Sequence, residues 1–269
     1  LAPRSEGTAM KKAVRAVAIA ASTLVLLAGG TIWQLAFRAP AIDPLPLPAQ
    51  LVPLTAAEGH RLLVEGATRA DYPSLATTFE SQRRPAYCGV ASSVAVLNAL
   101  RPAGPRLTQA TFFTDLSTEL RVTFTGMTLH ELGELLRRHG AEADLVYAGD
   151  TTLEAFRLKA GENLGRAGDY VLVNYQRASL GQREGGHISP LAAYNAATDR
   201  FLILDVAAYK YPPVWVPAAD LWQAMNTLDS TSGRTRGFVV VRDRADSGVE
   251  TRATGAASPP RAGQSGRWR

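Results

Sequence analysis

"QRRPAYCGVASSVAVLNAL", residues 82–100, holds the lone cysteine of the 269-residue chain, and its reading decides the fold. From Cys88 onward small and apolar residues recur at Ala91, Val94, Val96, Leu97 and Leu100, until Arg101 and Pro102 close the run. The pattern predicts a buried central helix starting at the cysteine. The thiol then stands at a helix start, where unpaired backbone N–H groups and the macrodipole favour a thiolate. The stretch before it, "PSLATTFESQRRPAY", has no clean periodicity and reads as a loop that carries Gln82 up to the thiol.

A buried helix needs a surface to pack on, and the second half of the chain supplies one. "DYVLVNY" (169–175), "HISPLAAY" (187–194), "RFLILDVA" (200–207), "VWVP" (214–217) and "RGFVVV" (236–241) are short β-rich runs separated by turn residues. Ahead of them, "AAEGHRLLVEGA" has helical periodicity. Thr128 with Glu131 makes a capping box before Leu129, Leu132, Leu135 and Leu136, closed by Gly140. "DLWQAMNT" (220–227) reads as a short helix before the last strand. Helices first and an antiparallel sheet after predict an α+β fold.

The total charge of +5 is uneven: residues 1–38 carry +4 and residues 242–269 carry +3, which leaves −2 on residues 39–241. A folded part without excess cations argues against nucleic acid as a partner. Residues 1–9, ahead of the first methionine, read as a cloning or mis-start remnant, and residues 10–38 as an export segment. Lys11, Lys12 and Arg15 precede Ala16 to Phe37, 22 residues without a charge. That length suits a membrane anchor, favoured here over a cleaved signal with Ala39 and Ala41 as its small-residue pair. The basic flank predicts that the rest lies outside the cytoplasm, periplasmic or on the outer face of the inner membrane. Residues 39–54, with five prolines between 40 and 53, read as an extended linker, 55–241 as the catalytic domain and 242–269 as a disordered tail.

In an oxidising compartment a lone thiol has no partner in its own chain, so it is inert filler or kept for reactivity. Among the four histidines, His60, His130 and His139 read as surface residues. "HELGE" (130–134) is not a zinc motif, because the second ligand position holds Glu134. His187 differs: it opens a strand after Gly185 and Gly186, which allow backbone or substrate to approach closely. Asp205 follows in the next strand, across a turn near 196–198, and an acid in an apolar strand needs a partner such as this histidine. Gln82 supplies a neutral amide beside the thiol as a candidate oxyanion donor. Gln, Cys, His and Asp in that order form a papain-like cysteine hydrolase arrangement.

The blocks "FESQRRPAYCGVASSVAVLNAL", "LVNYQRASLGQREGGHISPLAAYN", "FLILDVAAYKYPPVWVP" and "DSTSGRTRGFVVV" resemble the catalytic domain of phytochelatin synthases, papain-like glutathione γ-glutamylcysteinyltransferases, from about Thr55 to Val241. The resemblance implies a papain-like fold, Cys88 as nucleophile, His187 as base and later acid, Asp205 as its orienter and Gln82 as oxyanion donor. It also implies that Asp229 and Arg236 hold the γ-glutamyl amine and carboxylate, with Gly186 beside them. Glutathione and related γ-glutamyl thiol peptides are the implied substrates. No tightly bound cofactor is implied; Cd²⁺ or Zn²⁺ would enter as a thiolate complex of glutathione. Plant members carry a cysteine-rich C-terminal domain, whereas residues 242–269 hold no cysteine. Two other readings stay open: a peptidase of the kind that cleaves double-glycine leaders, and a tethered metal-binding module, for which one cysteine offers few soft ligands.

Overall fold

The computed structural model describes residues 5–244. The chain opens with helix α1 (Ser5–Phe37). It continues through β1 (Val52–Pro53), α2 (Ala57–Val64), β2 (Ala67–Thr68), α3 (Tyr72–Thr78), α4 (Cys88–Leu100), α5 (Leu116–Thr125) and α6 (Leu129–Arg138). Then come β3 (Ala141–Tyr147), α7 (Leu153–Asn163), β4 (Asp169–Gln176), β5 (Gly186–Asn195), β6 (Arg200–Ile203) and β7 (Val214–Pro217). The last elements are α8 (Ala218–Met225), β8 (Leu228–Asp229), β9 (Arg234–Thr235) and β10 (Gly237–Asp243).

The main sheet runs β1-β7-β6-β5-β4-β10-β3, with β2 also on β5, and its pairs are antiparallel. β5 is its pivot. Gly186 to Pro190 pair with β4, whereas Leu191 to Asn195 pair with β6 beyond a register shift at Leu191/Ala193. Helices cover both faces. On one side Val90, Val94 and Leu97 of α4 and Leu132 and Leu136 of α6 pack with Leu172, Ile188 and Val239. On the other, Phe156 of α7 and Leu221 and Met225 of α8 pack with Val171, Val173, Phe201 and Phe238. A strand covered on both faces carries apolar residues without alternation, as "YVLV" of β4 does.

The expected α+β architecture, a cysteine-bearing helix on an antiparallel sheet, is present, with α4 at its predicted bounds. The capping box of α6 forms: Thr128 Oγ1 accepts from the Glu131 N–H at 3.2 Å, and Glu131 Oε2 accepts from the Thr128 N–H at 2.8 Å. Several segments differ. Residues 73–78, expected as loop, belong to the helix Tyr72–Thr78, because Pro73 starts the turn and Leu75 is fully buried. The strand expected over 200–207 stops at Ile203, and β10 continues to Asp243, which pairs with Arg101 at 3.1 Å. The last two residues of that strand therefore belong to the domain, not to the expected tail; residues 245–269 lie outside the described residues. The segment expected as a free linker lies against the domain: Asp43 N–H donates to the Tyr209 carbonyl (2.8 Å), Leu45 N–H to the Lys210 carbonyl (2.9 Å), and Leu51 is buried. His139, expected on the surface, stacks on Phe112 and hydrogen-bonds its carbonyl at 2.8 Å, whereas His60 and His130 are exposed.

Candidate active site

The first turn of α4 meets the start of β5. One turn beyond Cys88, Ser92 Oγ donates to the carbonyl of Ile188 at 3.0 Å, and both residues are buried. Gly89 permits this approach, since a Cβ there would lie 3.1 Å from Met127 Sδ and 3.3 Å from Ile188 Cδ1. Cys88 and His187 thereby line one cavity of about 350 Å³ with Gln82, Asn174, Arg177, Gly186, Lys210, Asp229 and Arg236. Asp205 stands behind His187. The side chains expected from the sequence, far apart in the chain, converge on this one place.

His187 Nε2 lies 2.9 Å from Asp205 Oδ1 and 2.9 Å from Ser189 Oγ, and the Tyr175 ring meets the imidazole edge-on. Donation of Nε2–H to the carboxylate leaves Nδ1 as the free basic nitrogen. Asp205 is fully buried just past β6 and accepts further from Arg177 Nη2 (2.8 Å) and the Ala207 N–H (2.9 Å). Burial pushes its carboxyl up, but His187, Arg177 and these hydrogen bonds hold it well below the usual carboxylate range. Burial, then the Arg177 charge, pulls the imidazole down to about 4 against the opposing effect of Asp205. His187 therefore rests neutral at pH 7.

The thiol differs from expectation. Cys88 keeps part of its surface on the cavity, yet desolvation pushes Sγ above its ordinary value, opposed by backbone hydrogen bonds from Ile188 and Gly89 and by Arg177. A helix start lowers a thiol pKa only where solvent or counter-charge offsets burial. The resting site is a neutral thiol and a neutral imidazole on one cavity.

Gln82 also departs from its expected readiness. Nε2 donates to the carbonyls of Arg84 (3.0 Å) and Pro85 (2.8 Å), which occupies both amide hydrogens, while Oε1 is buried without a partner. To serve an oxyanion it must release one of these carbonyls. The N–H of Cys88, at a helix start, has no intrahelical partner.

Along the same cavity, Asp229 Oδ2 and Arg236 Nη1 lie 4.0 Å apart with side chains 10% and 11% exposed. Arg236 Nη1 donates to Asn174 Oδ1 at 3.2 Å. Gly186 makes room for this guanidinium: a Cβ there would stand 2.8 Å from Nη1. A facing carboxylate and guanidinium, neither fully used, suit a zwitterionic head group.

Three residues were missed by the sequence reading. Asn174 interrupts the apolar run of β4, a signal that was available; its Nδ2 is buried without a partner. Arg177 is 1% exposed, donates through Nη1 to Gln182 Oε1 (2.7 Å) and lies over the ring of Tyr211. Lys210 lines the cavity next to the Asp205 segment. Nothing in sequence spacing distinguishes these two from surface cations. Among the described residues no group of three or more His, Cys, Asp or Glu converges as a metal site.

The family model described as phytochelatin synthase matches residues 42–238. The chain is similar to glutathione gamma-glutamylcysteinyltransferase 1 of Triticum aestivum, 36% identical over 211 residues that cover 75% of this chain and 42% of that protein. It is similar to glutathione gamma-glutamylcysteinyltransferase 3 of Lotus japonicus at 33% over 207 residues, 73% of this chain and 43% of that one. The chain thus spans less than half the length of these relatives. Among solved structures, xylellain, a cysteine protease from Xylella fastidiosa, aligns at 11% identity over 76% of this chain and 91% of its own, with a TM-score of 0.39.

Proposed function

The chain belongs to the phytochelatin synthase family, and from that premise we propose that it cleaves the Cys–Gly amide of glutathione through a γ-Glu-Cys thioester on Cys88. The observation that carries this reading is the Asp205–His187 pair, 2.9 Å apart, behind a cavity that joins Cys88 to the Asp229/Arg236 wall. Because thiol and imidazole rest neutral, His187 Nδ1 takes the thiol proton as Sγ attacks the amide carbon. Asp205, already ionised, stabilises the imidazolium that forms. The oxyanion meets the Cys88 N–H and the Gln82 amide once it lets go of one backbone carbonyl. His187 returns the proton to the departing glycine nitrogen, and the C–N bond breaks.

The α-carboxylate and α-amine of the γ-glutamyl group bind Arg236 and Asp229, with Asn174 fixing the guanidinium. Water on the thioester yields γ-Glu-Cys; the amine of a second glutathione yields the dimeric phytochelatin. Cd²⁺ or Zn²⁺ enters as a thiolate complex of substrate. Helix Met10–Phe37, whose most apolar 18-residue stretch has a mean hydropathy of 1.9 and no burial, anchors the domain on the outer face of a membrane. The cavity wall comes close to that anchor, since Phe124, which lines the cavity, meets Phe37 edge-on at 6.0 Å.

Incubation of the full chain with glutathione, with and without Cd²⁺, tests the reading by glycine release and product mass. Wild type releases glycine, and Cys88→Ala loses the activity by about 10³-fold or more. A wild type that frees no glycine under either condition refutes the reaction.

A further inference from the structure

The end of α1 is fastened to one particular helix of the domain. Phe37, its last residue, meets Phe124 of α5 edge-on at 6.0 Å and stacks on Trp33 at 4.0 Å. Arg84 Cζ lies 4.4 Å from the centre of the Phe37 ring, and Arg84 Nη1 donates to Glu119 Oε1 and Thr123 Oγ1 of α5, each at 3.0 Å. Glu119 through Arg84 and Phe124 directly, five residues apart, thus reach the same ring. α5 therefore passes across the end of α1.

The outward face of α5 is apolar. Val122 and Thr123 are buried against the domain, whereas Leu116 and Phe124 are 66% and 49% exposed and Leu120 is half-buried. These three stand four residues apart and form one stripe along the helix, flanked by Ser117, Arg121 and Thr125. A surface helix ordinarily turns such a stripe inward and shows polar residues to water. Leu158 of α7 is as exposed, at 63%, but has Glu154 and Glu162 one turn away on either side. Single exposed leucines of that kind are common, and a stripe is not.

The length of α1 says what covers the stripe. Residues 16–37 carry no charge and are bracketed by Arg15 and Arg38. At 1.5 Å per residue they extend about 33 Å, just over the hydrocarbon core of a bilayer at about 30 Å. Phe37 then stands at the far boundary of that core with Trp33 one turn inside it, the level where aromatic rings gather. Phe124, in contact with Phe37, stands at the same level. We propose that the Leu116, Leu120 and Phe124 face of α5 docks on the membrane itself, lying along the bilayer at the boundary of headgroups and acyl chains. The proposal rests on the anchor reading above. Phe124, Thr125, Gly126 and Met127 also line the cavity that holds Cys88, so this docking sets the cavity rim at the lipid surface.

The test uses the full chain carrying Cys88→Ala, which removes the native thiol, together with Leu116→Cys, Leu120→Cys or Leu158→Cys. Each is labelled with the fluorophore NBD and incorporated into phosphatidylcholine/phosphatidylglycerol vesicles that carry a nitroxide high on the acyl chain. Lipid nitroxide quenches the label at positions 116 and 120 at least about threefold more than at 158, as shallow insertion of this face requires. Equal quenching at the three positions, in chains that float with the vesicles, overturns the docking of α5 and leaves the anchor standing. A chain that does not float with vesicles refutes the anchor and this surface with it. Quenching at 116 by a second, quencher-labelled copy of the chain in place of lipid assigns the stripe to an interface between chains, and that also overturns the proposal. Should Leu120→Cys lower the melting temperature, the exposed positions 116 and 158 decide by themselves. None of these readouts needs turnover, so they stand apart from the acyl-enzyme reading.

Discussion

In an Arg177→Met variant, Asp205 keeps its burial and loses the guanidinium 2.8 Å away. The two side chains are 1% and 0% exposed, so solvent screening does not soften the change. Removing one partner of a buried pair costs about 3–5 kcal/mol, and at about 2–4 °C per kcal/mol for a domain of this size the melting temperature falls by roughly 6–20 °C. Adding Asp205→Asn removes the stranded charge, so the double variant melts higher than Arg177→Met alone. The sign of the pH dependence follows from Asp205: its folded pKa is depressed, so its stabilisation is present above the ordinary carboxylate pKa and is lost as pH falls through the folded value. The deficit of Arg177→Met is accordingly largest near neutrality and shrinks on acidification. Chemistry moves too. Arg177 lowers both the His187 and Cys88 values, so its loss shifts the acid limb of glycine release upward and slows alkylation of Cys88 by iodoacetamide at pH 7. Thermal melts and alkylation need no substrate. A variant that melts within 2 °C of wild type, a change of about 1 kcal/mol or less, with no recovery in the double variant, refutes the account of Arg177 as counter-charge to the His187–Asp205 pair.

Three further outcomes are expected. Gly186→Ala places a methyl 2.8 Å from Arg236 Nη1, and because a flexible side chain gives way, melting changes little while KM for glutathione rises several-fold; an unchanged KM in steady-state assays counts against the Arg236 wall as the γ-glutamyl site. Asp71, fully buried with neither carboxylate oxygen partnered, is pushed up to about 8 by burial and by Asp169. Protonation then favours the folded state, a contribution lost as pH rises toward and through 8, so the melting temperature of Asp71→Asn relative to wild type climbs from pH 5 to pH 8.5; a difference that is flat in pH refutes this. Ser92→Ala removes the bond that joins α4 to β5, costing about 1–2 kcal/mol in denaturant melts and lowering kcat as Cys88 loses its fixed relation to His187; loss of stability without loss of kcat shows that other contacts set the geometry.

What lay open in the sequence were features encoded over one or two turns of chain. The α4 helix was readable because an uninterrupted run of small and apolar residues ends at Arg101 and Pro102, and α6 because Thr128 and Glu131 satisfy each other's backbone donors. β4, β5 and β7 announced themselves through β-branched and aromatic residues. α3 did not, because a threonine-rich turn has weak propensity and becomes helical by burying Leu75. β3 did not, since its half-exposed "AEADLVY" is an edge strand stabilised by β10, nearly a hundred residues on.

The order Gln, Cys, His, Asp likewise pointed to side chains that folding brings together, but not to their state. That Cys88 is raised and His187 lowered, that both Gln82 hydrogens are occupied, and that Arg177 and Lys210 face the same centre are consequences of desolvation and of neighbours distant in sequence. A sequence carries the identity of each ionisable group. Its charge state at neutral pH depends on which groups folding brings within a few ångströms and how much water it leaves them, and that only the tertiary structure decides.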